Sequence, residues 1–422
     1  MCIILALLPI PIWMSLESLH IRFLSPATTL TSIGEITGLV GMMFFSLDFI
    51  LSTRLKFLEA YFGGLNRVYL AHHIFGGIAF ILILIHPLPL AGVYALESVK
   101  SAALFLLPGT DWTINFGIAS LFLMMALLIL TFFVVIPYQR WKFSHKFLGL
   151  AFFLGGIHSF FVSSDISFYP AMFWYMLLFS ILGLIAFLYR LFWKLFVKRS
   201  IYSVIKVKKL AQNVIEVDLQ SVKRPLIFSP GQFVFVSFKD KAISSEMHPF
   251  SISSSPAEGM LDITVKAEGD YTRKLLQLHE GVQAFVEGPF GSFRYDVCPN
   301  NNQIWIGGGI GIAPFLAMAK TLSDHPTIHV DLYYAMHDES EAVYIEELQS
   351  LAALYPNFAV APFYSAKKGR LSADTIAKAS GDITRKDIFL CGPPLMMHSL
   401  VTQLKKLGVP KEQLHSEEFS WE

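Results

Sequence analysis

Long apolar runs, confined to the first half of the chain, constrain the fold more than any other feature. Six such runs occupy residues 1–16, 33–53, 68–92, 113–137, 143–163 and 166–189. About 20 mostly apolar residues suffice for a helix to cross a bilayer. Hydrophobic residues make up 54% of the 422 residues, above the roughly 45–50% typical of soluble domains. We therefore predict six membrane spans within residues 1–197, the first of them short and interrupted by Pro9 and Pro11.

Basic residues predict the orientation of these spans. One set of loops carries Arg54, Lys56, Arg67, Arg140, Lys142, Lys146, Arg190, Lys194, Lys198 and Arg199. The loops of the opposite side carry only Arg22 and Lys100. The positive-inside rule therefore predicts a multi-pass protein of the cell membrane, in contact with lipid, whose N-terminus and large C-terminal region lie in the cytoplasm.

Charge and cysteine content exclude some classes of function. The net charge of +1 gives no indication of a nucleic-acid partner. The three cysteines, Cys2, Cys298 and Cys391, form no CxxC pair. That spacing argues against a disulfide framework and against a zinc site.

Histidines lie at both ends of the third and fifth apolar runs. The third contains "AHHIFGGIAFILILIHP", residues 71–87, and the fifth contains "HKFLGLAFFLGGIHS", residues 145–159. Comparing "HHIFG" with "HKFLG" selects His72 rather than His73 as the equivalent of His145, because the shared pattern of a histidine, a basic residue or histidine, two apolar residues and a glycine begins at His72. The spacings to the second histidines are then 86 − 72 = 14 and 158 − 145 = 13.

This spacing fits two metal centres at different depths. At about 1.5 Å per residue, each helix separates its two histidines by roughly 20 Å. Two such helices can bind two stacked b-type haems through bis-histidine ligation. We predict an inner haem on His72 and His145 and an outer haem on His86 and His158. Four packing histidines would be the ordinary alternative, but their occurrence in two similar segments at matched depth disfavours it.

Two further points concern these helices. Thirteen residues end about 140° away from the starting face, so the fifth span needs a kink or an overwound turn, which Gly155 and Gly156 can supply. Asp48 lies inside the second run. We predict that it makes a structural hydrogen bond rather than relaying protons.

The pattern changes to short alternating strands after residue 197, as in "SVIKVKKL" and "QFVFVSF", which predicts an antiparallel barrel. In "HPFSISSS", residues 248–255, Phe250 can pack on an isoalloxazine ring and Ser251 can donate to the flavin N5. "VKAEGDYTRKLL" places Gly269, Asp270 and Thr272 at a helix start suited to a pyrophosphate. These segments predict an FAD site.

The last part of the chain has an α/β pattern. "IWIGGGIGIAPFLAMA" reads as a strand, a glycine turn and an apolar helix, which together cradle phosphate groups. Further strands follow, and the last ends in "CGPP" at residues 391–394. In an open α/β sheet the ligand lies at the carboxyl ends of the strands.

These motifs carry a family resemblance. "HPFSISSS", "GGGIGIAPF", "CGPPLMM" and the terminal "EEF" resemble the ferredoxin-NADP reductase superfamily. Joined to the paired histidines, they resemble the NADPH oxidase and ferric reductase family, especially its compact bacterial members. The resemblance implies three domains. These are a six-span α-helical membrane bundle with two b haems (1–197), an antiparallel FAD-binding β-barrel (198–299) and an α/β NAD(P)H-binding domain (300–422).

The resemblance also implies roles for individual residues. FAD would be held by His248, Pro249, Phe250, Ser251, Ser253, Gly269 and Thr272. The nicotinamide nucleotide would be held by Gly308, Gly309, Gly311, Pro314, Gly392 and Pro393. Cys391 would lie near the nicotinamide C4, and Phe419 would cover the flavin as a near-terminal aromatic, with Trp421 as the alternative.

The activity implied is an NAD(P)H oxidase. Electrons would pass from cytoplasmic NAD(P)H through FAD and both haems to external oxygen, producing superoxide, and no further protein subunit is inferred. The rival acceptor is a ferric chelate or another external molecule. Leu90 stands where oxidases of this family have a further histidine, and the second span lacks an arginine. A haem-based sensor without turnover is disfavoured by the intact flavin and nucleotide motifs.

The choice between NADPH and NADH stays open. In "YAMHDESEAVY" His337 replaces an arginine common in the family. Lys367, Lys368 and Arg370 can substitute for it, or can form an ordinary solvated loop.

Overall fold

The computed structural model describes residues 1–192, 197 and 199–417. The chain divides into two compact units. The first consists of Met1–Leu58 and Arg67–Phe196, and the second of Glu59–Asn66 and Val197–Glu422.

Helices account for nearly all of residues 1–191. They are α1 (Cys2–Leu7), α2 (Pro9–Leu16), α3 (Leu19–Arg22), α4 (Pro26–Leu51), α5 (Lys56–Phe62), α6 (Leu65–Ile85), α7 (Pro87–Ala95), α8 (Val99–Phe105), α9 (Trp112–Phe132), α10 (Tyr138–His145), α11 (Leu148–Phe161), α12 (Asp165–Phe168) and α13 (Pro170–Leu191).

Among the described residues, four helical stretches are long and apolar enough to cross a membrane. They are Pro26–Leu51, Leu65–Ala95, Trp112–Phe132 and Pro170–Leu191, which correspond to the second, third, fourth and sixth predicted spans. The first predicted span is shorter because Leu8 separates α1 from α2 just before Pro9. The fifth is shorter because α10 ends at His145 and α11 begins only at Leu148.

Helix α4 forms the core of the first unit. It begins with a capping box, in which Ser25 and Thr28 hydrogen-bond each other's backbone N–H groups, and with Pro26 at its first turn. Every residue from Leu39 to Asp48 is buried. A helix that is buried all round needs neighbours on several sides, and α1, α2, α3, α7, α11 and α13 pack against it.

An antiparallel sheet begins the second unit. Its strands are β1 (Ser200–Ala211), β2 (Val214–Ser221), β3 (Phe233–Phe238), β4 (His248–Ser251), β5 (Leu261–Lys266) and β6 (Gln283–Phe290), in the order β4-β3-β6-β1-β2-β5. Apolar side chains of these strands form one core cluster, which includes Val217, Val236 and Ile263. The antiparallel strand pairing of the predicted barrel is confirmed, in the form of a six-stranded sheet. The short helix α14 (Asp270–Leu275) follows β5.

A parallel sheet completes the second unit. Its strands are β7 (Asn302–Gly308), β8 (His329–Met336), β9 (Phe358–Tyr364), β10 (Asp387–Cys391) and β11 (Leu414–Glu417). The order is β11-β10-β7-β8-β9, so the chain direction across the sheet reverses between β7 and β10. Its helices are α15 (Ala313–Ala319), α16 (Ile345–Leu354), α17 (Ser365–Lys368), α18 (Ala373–Ser380) and α19 (Pro394–Lys406).

Residues 59–66, which precede and begin α6, belong to the second unit. Glu59 Oε1 accepts a hydrogen bond of 2.6 Å from the backbone N–H of Gly291. The Ser292 hydroxyl donates to the Gly63 carbonyl at 3.0 Å. A segment close in sequence to the apolar helices is thus fixed to the end of the antiparallel sheet.

Candidate functional site

The structure brings the four predicted histidines together in two pairs. The ring centres of His72 and His145 lie 6.3 Å apart, and those of His86 and His158 lie 6.1 Å apart. The pairing predicted from the matching segments is therefore the pairing found in space. Residue His73 is exposed, with its ring centre 5.8 Å from that of His72.

The spacing within each pair fits a metal ion between the rings. Metal–imidazole bonds of about 2.0–2.1 Å, with the ring centre about 1.1 Å beyond each nitrogen, set two ligand rings roughly 6.3 Å apart. Both observed distances agree with this value to about 0.2 Å. The residues present therefore fit two bis-histidine haem centres.

Backbone carbonyls orient the His86–His158 pair. His86 Nδ1 lies 2.7 Å from the Gly34 carbonyl, and His158 Nδ1 lies 2.9 Å from the Thr113 carbonyl. Each Nδ1–H therefore donates away from the partner ring, which leaves Nε2 as the metal-side nitrogen.

Glycines make room for these two rings. A Cβ at Gly38 would lie 2.7 Å from the His86 ring, and a Cβ at Gly117 would lie 2.8 Å from the His158 ring. Gly38 is four residues after Gly34, and Gly117 is four residues after Thr113. The two imidazoles thus have the same surroundings, namely a backbone carbonyl that accepts a hydrogen bond and, one helical turn later, a glycine that leaves room for the ring. We call each such carbonyl and glycine a histidine seat.

The His72–His145 pair has different neighbours. His72 Nδ1 lies 2.8 Å from a carboxylate oxygen of Asp48 and 3.2 Å from its carbonyl. Asp48 is 8% exposed, so the structural hydrogen bond predicted for it is present. For His145 Nδ1, the described residues offer no hydrogen-bond partner, and the ring packs against Trp141 with centres 5.2 Å apart.

An overwound turn reconciles the 13-residue spacing with the histidine pairing. Residues Lys146, Phe147, Gly149 and Leu150 donate to the carbonyl three positions back rather than four. Each such residue advances about 120° instead of about 100°, so four of them recover roughly 80° of the 140° mismatch. The turn is of the predicted kind, but its predicted location at Gly155 and Gly156 is wrong, because both lie inside α11. Gly155 instead allows α9 to pack closely against α11, since a Cβ there would lie 3.1 Å from Ser120 Oγ.

A buried arginine lies near the His86–His158 pair. Arg22 is 3% exposed and its guanidinium lies 2.9 Å from Asp165, 3.6 Å from Glu35 and 3.8 Å from Glu17. It also covers the Trp13 ring at 4.0 Å. Glu35 follows Gly34, the residue that orients His86, so this charged cluster adjoins one histidine seat.

The predicted flavin segment forms β4. Ser251 and Pro249 alternate with Phe250, which is 7% exposed and packs in the core of the antiparallel sheet. His248 stacks on Tyr271 with ring centres 3.7 Å apart, and Ser253 is 1% exposed. His248, Pro249 and Ser251 are therefore more accessible than Phe250 and Ser253, and the flavin contacts stay a prediction.

The predicted helix start near Gly269 is present. Gly269 precedes α14, and the Thr272 hydroxyl accepts from the N–H groups of Gly269 at 3.0 Å and Glu268 at 3.1 Å. This hydroxyl caps the helix. Its contact with a pyrophosphate stays a prediction.

The glycine turn after β7 meets the end of β10. In the sheet register Gly307 lies opposite Cys391. A Cβ at Gly311 would lie 2.4 Å from the Cys391 carbonyl, and one at Gly392 would lie 2.9 Å from Gly308 Cα. Glycine is thus required on both loops for close backbone approach. Gly309, at φ +52°, has open space around its Cα.

These loops lie at the switch point of the parallel sheet, where such sheets bind their ligands. Pro314 begins α15 there, and Pro393 precedes α19. The nucleotide residues predicted from sequence therefore converge on one edge, as expected for a phosphate cradle.

The two predicted catalytic residues have different outcomes. Cys391 is 0% exposed, and burial, with the Glu417 carboxylate adding to it, raises the pKa of its thiol above the usual range. A thiol held neutral is a poor nucleophile, and the contact of Cys391 with the nicotinamide stays a prediction. Phe419 and Trp421 lie outside the described residues.

The basic segment after β9, residues 365–370, lies beside His337. The Ala366 N–H donates to the His337 carbonyl at 3.0 Å, which brings "SAKKGR" to the carboxyl end of β8. Lys367 forms an exposed ion pair of 2.7 Å with Glu339. The segment's contact with a nucleotide 2′-phosphate stays a prediction, and Lys367 already has a carboxylate partner.

The residues that orient the histidines were missed by sequence reasoning. Gly34 and Gly38 form a small-xxx-small pattern, a signal for close helix approach in membranes. The Thr113 carbonyl has no side-chain signature. Arg22 was noted only as one of two basic residues on its side.

Three family profiles match the chain. Residues 37–156 match the ferric reductase like transmembrane component. Residues 199–294 match an FAD-binding domain, and residues 305–402 match an oxidoreductase NAD-binding domain. Each match falls on the corresponding part of the fold.

Individual relatives match parts of the chain. The ferredoxin–NAD(P)(+) reductase component of the naphthalene 1,2-dioxygenase/salicylate 5-hydroxylase systems of Ralstonia sp is 25% identical over 206 residues, which are 46% of this chain and 62% of that protein. NADPH oxidase 1 of Mus musculus is 34% identical over 122 residues, 28% of this chain and 20% of that protein. The matched parts thus fall short of two thirds of either relative.

A flavohemoglobin structure from Malassezia yamatoensis aligns with a TM-score of 0.51 and 17% identity, over 81% of this chain and 96% of that one. At this identity the likeness concerns the fold alone.

The chain thus combines a ferric reductase like transmembrane component, an FAD-binding domain and an oxidoreductase NAD-binding domain. With the three profiles in this order, the chain fits the NADPH oxidase and ferric reductase family.

Proposed function

We propose that this protein is an NAD(P)H oxidase that takes electrons from NAD(P)H through FAD and two b haems to oxygen on the other side of the membrane, producing superoxide. The observation that carries the proposal is the geometry of the two histidine pairs. Their ring centres lie 6.3 and 6.1 Å apart, and three of the four Nδ1 atoms are engaged away from the partner ring.

FAD would accept a hydride and release single electrons, which the two haems would carry across the membrane. Ser251 and Pro249 would position the flavin from β4. The Gly308–Gly311 turn and Gly392 would hold the nucleotide phosphates, and Cys391 would pack beside the nicotinamide. His72, His145, His86 and His158 would hold the irons.

Bis-histidine ligation favours superoxide as the product. An iron held by two imidazoles, as His86 and His158 would hold it, would leave no free site for oxygen. Oxygen would then receive one electron at the haem edge without binding the metal. A two- or four-electron reduction would need an open coordination position.

We propose that the nucleotide site faces the cytoplasm of a cell-membrane protein. Ten basic residues flank the loops on that side. Residues 59–66, from one of those loops, belong to the same unit as the reductase sheets, which supports the assignment. In sealed right-side-out vesicles, added NADH or NADPH should give no turnover until the membrane is opened. Full activity in intact vesicles would contradict this orientation.

Oxygen consumption and superoxide trapping on the purified protein test the activity. With FAD and either nucleotide, we expect one superoxide per electron and a loss of activity in His158→Ala. Adding a ferric chelate identifies the rival acceptor. Reduction of the chelate without oxygen consumption would show that the protein is a ferric reductase rather than an oxidase. Leu90, which stands where oxidases of the family have a histidine, would agree with that result.

We propose that Phe419 covers the flavin until the nicotinamide displaces it. Aromatic stacking contributes about 0.5–1.5 kcal/mol beyond burial, enough to compete with nicotinamide. Phe419→Ser should tighten apparent nucleotide binding and alter the NADH/NADPH preference, with unchanged haem content. If only Trp421→Ser has these effects, the role belongs to Trp421.

A further inference from the structure

Three metal-ligating side chains meet in the second unit, away from the predicted nucleotide cradle. Cys298 Sγ lies 3.6 Å from His415 Nε2, and His415 Nε2 lies 2.7 Å from Asp387 Oδ1. All three ligand atoms lie within 4.8 Å of one another. We call Cys298, Asp387 and His415 the thiol–imidazole–carboxylate cluster.

The cluster lies at the amino-terminal end of β10, whereas the cradle lies at the carboxyl end of the same strand. Asp387 is the first residue of β10, whereas Cys391, at the cradle, is the last. His415 lies in β11, opposite Phe389 in the register. Cys298 precedes β7. The cluster is therefore a separate feature from the nucleotide site.

Neighbouring groups hold the ligand atoms in place. The Asn300 N–H donates to Asp387 Oδ2 at 3.1 Å, which leaves Oδ1 for the cluster. The Phe389 ring stacks on His415 with centres 4.6 Å apart and planes 24° apart. Such supporting contacts orient metal ligands in known sites.

The chemistry of the three groups selects among possible roles. A nucleophile–base–acid chain needs the two imidazole nitrogens to face different partners, but here Sγ and Oδ1 both approach Nε2. One thiolate, one imidazole and one carboxylate are instead a ligand set for Zn²⁺, whose charge the thiolate and carboxylate balance. The Sγ–Nε2 separation of 3.6 Å is close to the roughly 3.5 Å between sulfur and nitrogen ligands of a tetrahedral zinc ion.

Access and position indicate what a metal would do. The His415 side chain is 27% exposed while that of Asp387 is 1% exposed, so solvent reaches one side of the cluster and a water can complete the coordination. β11 has four residues and is an edge strand, paired only with β10 among the described strands. A metal would join it to β10 and to the loop before β7.

We propose that Cys298, Asp387 and His415 bind one Zn²⁺ ion, which takes the place of the proton shared by His415 and Asp387 and ties β11 to the sheet. Binding energy at such a site adds to the stability of the folded unit. The proposal stands independently of the haem and flavin assignments.

Metal analysis of the purified full-length protein, prepared without a polyhistidine tag, tests the site. The protein is incubated with excess zinc chloride, desalted into metal-free buffer and analysed for zinc by mass spectrometry. We expect one zinc per chain in the wild type and a loss of at least about tenfold in Cys298→Ser and in His415→Gln, a change typical of removing a ligand or its support. A matched control, Cys2→Ser combined with exposed His329→Gln, should retain the zinc.

Cadmium provides a second readout that depends on the thiolate. Titration with cadmium chloride should give an ultraviolet cadmium–sulfur band that saturates at one ion per chain in the wild type and in the control, and is absent in Cys298→Ser. Zinc should also raise the unfolding temperature of the wild type, but not that of Cys298→Ser. Wild-type protein without zinc after desalting, or equal zinc in wild type and Cys298→Ser, would overturn the proposal.

Discussion

The two histidine pairs have nearly the same ring spacing but different supports. Both imidazoles of the His86–His158 pair donate to backbone carbonyls, and each ring occupies the space left by a glycine. In the His72–His145 pair, a buried carboxylate faces one ring and Trp141 packs on the other. The two pairs thus share their ring spacing, but backbone carbonyls face the imidazoles of one pair and the Asp48 carboxyl group faces an imidazole of the other.

This difference predicts different electronic properties. A carboxylate bonded to the second nitrogen makes an imidazole a more basic ligand, which stabilises the ferric state. Carbonyl partners do so less. The His72–His145 centre should therefore have the lower reduction potential, so that electrons pass downhill from it to the His86–His158 centre.

Removing single ligands should give the largest effect. His158→Ala should lose the haem of its own pair and keep the other, and His72→Ala should do the reverse, since each iron depends on its own two imidazoles. Haem extraction and reduced spectra should show two haems per wild-type chain and one in each variant. A single haem in the wild type would refute the pairing.

Arg22→Met tests the charged cluster next to the His86–His158 pair. It leaves Glu17, Glu35 and Asp165 without their shared cation, and breaking a buried ion pair costs about 3–5 kcal/mol. We expect a lower melting temperature and preferential loss of the His86–His158 haem, followed by absorbance during heating. Lys100→Met, an exposed basic residue of the same predicted side, should have no effect. Equal loss of haem from both centres would show that Arg22 does not specifically support the His86–His158 pair.

Filling the glycine seats should disturb one centre by a smaller amount. In Gly117→Ala the new Cβ would lie 2.8 Å from the His158 ring, and overpacking typically costs about 1–3 kcal/mol. We expect an altered low-spin resonance signal for the His86–His158 haem alone. Gly77→Ala, whose Cβ would meet nothing within 4 Å, is the control. An unchanged spectrum in Gly117→Ala would show that the seat is not needed.

Asp48→Asn should change the energetics of one centre while leaving it assembled. Without the carboxylate, we expect the potential of the His72–His145 haem to rise by about 60 mV, equivalent to about tenfold in a one-electron equilibrium. Potentiometric titration measures both haems at once, so the second serves as the internal control. A shift of both potentials, or of the other one, would contradict the assigned role of Asp48.

Sequence reasoning predicted the histidine pairs better than their surroundings. The paired histidines were recognisable because two similar segments repeat them, and the glycine turn and "CGPP" marked the edge of the parallel sheet. The seats at Gly34 and Thr113 were not predicted, because a backbone carbonyl carries no residue-type signal. The location of the overwound turn was wrong for a related reason: glycine permits a kink, but Gly155 is needed for contact with Ser120 instead.

Contacts between distant parts of the chain were also beyond sequence reasoning. The cysteine spacing argued against zinc, yet folding brings Cys298 to His415, 117 residues away. Likewise, no local pattern connects Glu59 to Gly291. The pattern of a strand or helix predicts which face is buried, but not which distant element it meets.

The closed coordination of both irons is the central claim, and carbon monoxide tests it most directly. Carbon monoxide binds reduced haem iron only where an axial position is open. Adding it to the fully reduced wild-type protein should leave the spectrum unchanged, whereas His158→Ala, if it retains any haem in that pair, should form an adduct. A carbon monoxide adduct at either centre of the wild type would contradict bis-histidine ligation there, and with it the proposed outer-sphere formation of superoxide.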